Sequence, residues 1–116
     1  MLEHGAVVDA TGAVMFARAI RPQGFVARLR GLLGRPTLTD DQAWWFSRCS
    51  AVHTIGMRAA IDVLHLDAEG RVVKICASVP PLRSSASARA SQVLELNSGA
   101  AQRAGITLGQ QLRFVP

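Results

Sequence analysis

The chain has 116 residues, 49% of them hydrophobic, and thirteen basic residues against eight acidic ones leave a net charge of +5 at neutral pH. That length suffices for one core without a metal or disulfide to hold it, so a single domain over residues 1–116 is expected. No stretch approaches the roughly 20 apolar residues that span a bilayer, and Met1-Leu2-Glu3-His4-Gly5 carries neither a basic run nor an apolar segment, so neither membrane insertion nor export is expected and the cytoplasm is the expected compartment.

Val7-Val8 and Val14-Met15-Phe16-Ala17 flank Asp9-Ala10-Thr11-Gly12, in which Asp can accept bonds from its own turn and Gly takes positive φ, and a hairpin is predicted. From Pro22 onward Phe25, Leu29, Leu32 and Leu33 recur on one face, which predicts the main helix, ended by Gly34 and Pro36. Ala43-Trp44-Trp45-Phe46-Ser47 is short and apolar enough for a buried strand, and residues 50–60 read as irregular. The clearest hairpin pairs Ile61 to Leu66 with Val72 to Cys76 across Asp67-Ala68-Glu69-Gly70.

Pro80 and Pro81 stop that hairpin, and residues 83–89, small and polar, read as a mobile loop. Gln92 to Leu96 alternates as a strand, Ser98 is placed to cap a short helix ending at Gly105, and Leu112 to Val115 is the last strand. The sum is an α+β fold: a mostly antiparallel or mixed sheet of about five to six strands, for which a barrel-like form is one option, with one main and one short helix.

Twelve of the thirteen basic residues are Arg, dispersed from Arg18 to Arg113 with no basic run and no nucleic-acid motif. Such usage fits a genome rich in G+C and leaves nucleic-acid binding the least favoured alternative. Cys49 and Cys76 form no C-x-x-C pair and are expected as reduced thiols. With His53 and His65 they make four donors without the paired short spacing of a metal site, so neither metal nor other cofactor is expected. No Ser or Cys stands in a nucleophile elbow, so no catalytic residue is assigned.

Three segments, in order, resemble the domain of unknown function 192 family: Arg30-Gly31-Leu32-Leu33-Gly34-Arg35; Val52-His53-Thr54-Ile55-Gly56-Met57-Arg58 running through Ile61-Asp62-Val63; and Val93-Leu94-Glu95-Leu96 with Gly99, Gly105, Ile106 and Gly109. Together they cover about residues 28–114, and the chain looks like the branch with Val-His-Thr followed by Gly-Met-Arg. The resemblance implies no reaction.

The polar residues at the loop-to-strand junction form the candidate site. Either face of the strand from Ile61 is largely apolar, so Asp62 needs a partner, and His53, Thr54, the amides of the preceding loop, Arg35 or Arg58 can supply one. As a pocket, Arg35 and Arg58 would hold an anion, His53 would carry a proton and Asp62 would orient it. As a clasp, Asp62 would only fix the loop to the sheet. The expected function is a non-catalytic binding or assembly module, monomeric, whose polar groove near His53 lies between the 50–60 and 82–90 segments and takes an unknown protein or a small anionic ligand. A small enzyme doing acid/base chemistry on an anionic substrate is the alternative.

Overall fold

The computed structural model describes residues 2–23, 38–53, 59–81 and 83–116. Nine strands run through them: β1 (Leu2–Asp9), β2 (Val14–Pro22), β3 (Gln42–Ser47), β4 (Ala51–His53), β5 (Ile61–Leu66), β6 (Val72–Val79), β7 (Ser84–Ala86), β8 (Gln92–Asn97) and β9 (Leu112–Val115). Among the described residues the sole helix is α1 (Ala100–Arg103).

Seven strands make one curled sheet in the order β6-β5-β8-β3-β2-β1-β9, antiparallel except between β2 and β3, and β4 pairs with β7 in a separate ribbon. The curl brings the two edges together at one end. There Arg71 bridges Gln111, the Leu112 amide donates to the Gly70 carbonyl at 2.9 Å, and the Val72 amide donates to the Gln110 carbonyl at 2.9 Å. A side chain at Gly70 would run into the Leu112 carbonyl, and its φ of 82° is one that L residues resist, so the close approach depends on glycine.

The fold is therefore a β half-barrel and not α+β. Pro22, read as the start of a helix, ends β2 opposite Leu2, where a strand tolerates the missing N–H. The remainder of the predicted main helix lies outside the described residues. Two segments read as irregular instead supply β4 and β7, which are short and take their pairing from each other.

Alternation along the central strands sorts the core onto two faces. Inside the curl, Trp45, Leu64, Leu66, Leu94 and Leu96 pack with Val7, Phe16, Val72, Leu112 and Phe114, and with Ala100, Ala101 and Ile106 from and after the helix. On the outer face, Trp44, Phe46, Ile61, Val63 and Val93 pack with Leu38. Every residue of β5 is consequently buried.

Candidate functional site

Asp62 points inward and is buried. Its Oδ1 accepts the amides of Ser78 at 2.8 Å and Gly99 at 3.0 Å, and its Oδ2 accepts that of Ala101 at 3.0 Å. These donors share a cause. The β5–β6 register slips between Ile61 and Val63, which leaves Ser78 at a φ of 51° with its amide turned from the ladder. Gly99 and Ala101 begin α1, whose first amides have no partners within the helix and whose Gly99 cap has no side chain to offer. One carboxylate satisfies both. These described partners lie on β6 and at the start of α1, while the candidates considered from sequence, the 54–58 loop, Arg35 and the His53 side chain, lie outside the described residues. Ser98 likewise bonds the Ser78 hydroxyl at 2.6 Å instead of capping the helix.

Of the other expected site residues, Arg35, Thr54 and Arg58 lie outside the described residues, as does the side chain of His53. The His53 backbone ends β4 and pairs with Ser84, so along 51–53 and 84–86 the two expected banks of a groove are joined as a ribbon.

The outer face carries a second polar set that the sequence reading missed. Glu95 lies directly between Trp44 on β3 and Val63 on β5 and is only 6% exposed. Among the described residues no hydrogen bond or ion pair reaches its carboxyl, and loss of hydration raises its pKa from 4.5 to about 7. On the same face His65 stands opposite Val93, one step along from the Glu95–Val63 pair. Such diagonal positions are about 7–8 Å apart. His65 Nε2 and the Ser85 hydroxyl are 2.7 Å apart, the Cys76 thiol is 3.2 Å from that hydroxyl, and His65 Nδ1 is buried with no partner among the described residues. Burial first, and the Lys74 charge second, lower the His65 pKa, which favours the neutral ring.

Chemically, the face offers a buried acid that ionises near neutrality, a neutral imidazole and an aromatic wall in which Trp44 stacks on Phe46 at 6.4 Å. The Ser85–His65 contact has the reach of a nucleophile and its base, but among the described residues no acid orients the other ring nitrogen. The sequence carried no such signal for Glu95, because β8 alternates and Glu95 shares its face with Val93 and Asn97, as a solvent-facing residue would.

The chain is similar in fold to several solved structures. It aligns over 97% of its length, and 84% of the other, with a protein of unknown function from Novosphingobium aromaticivorans at 24% identity and a TM-score of 0.79. It aligns over 98%, and 94% of the other, with a "putative transcription regulator" from Sinorhizobium meliloti at 21% identity and a TM-score of 0.82. It also aligns over 98% with one quarter (25%) of a "putative exported protein" from Burkholderia pseudomallei at 20% identity and a TM-score of 0.54. At such identities the likeness is one of fold. No curated protein matches. The model of the family described as "Uncharacterized ACR" matches residues 8–114, nearly the whole chain, and the protein belongs to this domain of unknown function 192 family.

Proposed function

We propose that the protein is a non-catalytic binding module whose recognition surface is the outer face of β3, β8 and β5, beside the ribbon that ends on His53. The observation that carries this is Glu95: its carboxyl is buried with no partner among the described residues, which costs stability, and such a cost is commonly kept where a ligand will supply the partner. Entry is by displacement of the β4–β7 ribbon, two three-residue strands tied to the sheet by Ser85 and by the Lys74 ammonium on the Ala86 carbonyl at 2.8 Å. His53, Thr54, Arg35, Arg58 and Asp62 are kept in this proposal as binding residues on the sequence reading alone.

A catalytic reading has less support, because no acid among the described residues stands behind His65. So has nucleic-acid binding, since Arg18, Arg21 and Arg103 are each held by a carboxylate, Asp41, Glu3 and Asp40. The free thiols Cys49 and Cys76 suit a reducing compartment, and the cytoplasm is proposed on that ground. No helix among the described residues is long and apolar enough to cross a membrane.

An NMR screen with a fragment set of mixed charge tests the reading. Hits are expected to shift the Trp44 indole and the Val63 and Val93 methyl signals together. Shifts confined to other surfaces, or none at millimolar fragment, would rule the face out.

A further inference from the structure

The ribbon of β4 and β7 is fastened to the sheet at its centre by His65. Ser85 pairs with Val52 in the middle of the ribbon and sets its hydroxyl 2.7 Å from His65 Nε2 and 3.2 Å from the Cys76 thiol. Among the described residues the other ties are the Lys74 ammonium on the Ala86 carbonyl and a foot beyond the ribbon. At that foot the Cys49 amide donates to the Ser91 carbonyl at 2.8 Å, and the Ser91 amide to the Leu66 carbonyl at 2.9 Å.

With the ribbon closed, three things oppose a proton on His65. The ring is wholly buried, so an imidazolium would lose its hydration. Lys74 stands directly opposite on β6 with a charge of the same sign. No carboxylate offsets them: all eight acidic residues of the chain are described, and none is a hydrogen-bond partner of the ring. Glu95 on β8, diagonal to His65, itself holds a proton below about 7. The Cys76 thiol is the other titratable group on β6, β7 has none, and β4 has only His53, whose side chain lies outside the described residues. The tautomer does not alter the outcome. Whichever nitrogen carries the proton in the neutral ring, the imidazolium has an N–H at Nδ1 with no acceptor among the described residues.

Lifting the ribbon removes the first of these obstacles, since the ring then meets water and titrates near the ordinary 6.5. The closed state therefore binds fewer protons than the open one. Closure is at full strength above 6.5 and weakens as pH falls, up to tenfold per pH unit until the closed-state ring also titrates.

We infer that His65 is a proton-operated latch: the neutral ring holds the β4–β7 ribbon down through Ser85, and proton uptake releases the ribbon about its Cys49–Ser91 foot. As a gate to the outer face the latch rests on the binding reading above; as a property of the ribbon it does not.

Amide exchange in the ligand-free protein, corrected for the intrinsic effect of pH on exchange, tests it. A ribbon this short cannot keep its ladder once lifted into water, so the Ser87 amide, bonded to the Ser50 carbonyl, is the reporter. Between pH 7.5 and 5.5 its protection is expected to fall on the order of fivefold, while the Ser91 amide at the foot keeps its own. His65→Gln, which cannot take up the proton, should show no fall. Glu95 also gains its proton over this range, but that steadies the fold and acts equally in the variant. Should His65→Gln not fold, the wild-type ring decides: its carbon signals must titrate below 6.5, with Ser87 protection falling over the same range. A fall of equal size in His65→Gln, no fall in the wild type, or a His65 midpoint at or above 6.5 would overturn the latch. No ligand enters these measurements, so failure of the latch and failure of the binding face are read separately.

Discussion

Asp62 and Glu95 are buried carboxyls on neighbouring strands that point to opposite sides of one sheet. Three amides surround the first, and hydrogen bonds to a charged group contribute about 1.5–3 kcal/mol each. Asp62→Ala would leave those amides without an acceptor, and a loss of about 3–5 kcal/mol is expected by urea denaturation. Glu95 behaves oppositely. Its pKa in the folded protein is raised from 4.5 to about 7, so the folded state holds its proton where the unfolded state has released it. Stability from this group is full below pH 4.5 and is lost as pH rises through 7, on the order of 3 kcal/mol in all. Glu95→Gln should flatten that fall and be the more stable protein at pH 8, checked by urea melts at several pH values. Asp62 was visible in the sequence as a charge in an apolar strand, whereas Glu95, in a strand that alternates, was not. Only the distribution of donors, which comes from chain remote in sequence, tells the satisfied one from the unsatisfied one.

Among the elements, both Asp-x-x-Gly turns were legible because their chemistry is local. Asp9 and Asp67 each accept amides two and four residues on, and Gly12 and Gly70 take positive φ. The ribbon of β4 and β7 was not legible, since each strand has three residues and its partner lies more than thirty positions away, as in Ala51 with Ala86. Nor was the role of Pro22, whose fixed φ suits both a helix start and a strand end. Ser85→Ala removes the bonds to His65 and Cys76, and faster amide exchange across β4 and β7 is expected, with a loss of about 1 kcal/mol in global stability. Unchanged exchange would mean that Ser85 does not hold the ribbon. Gly70→Ala forces a side chain onto the Leu112 carbonyl and should cost about 1–3 kcal/mol, with the Leu112 amide losing its exchange protection first.

For the whole molecule, the curl is what makes two faces out of one sheet: the inner face is filled by its own far strands and by α1, and the outer face of β3, β8 and β5 is buried as a second cluster with Leu38. Hairpin order could be read from sequence, but the parallel joining of β2 to β3 and the closure of residue 71 on 111 are long-range events without a local signature. That is why the strand count was low and the class mistaken. The account turns on Glu95 being an acid kept without a partner. Following its side-chain carboxyl carbon by NMR from pH 3 to 9 tests this directly: a midpoint near 7 is predicted. A midpoint at the ordinary 4.5 would show a hydrated or paired carboxylate, and the binding face built on it would fall.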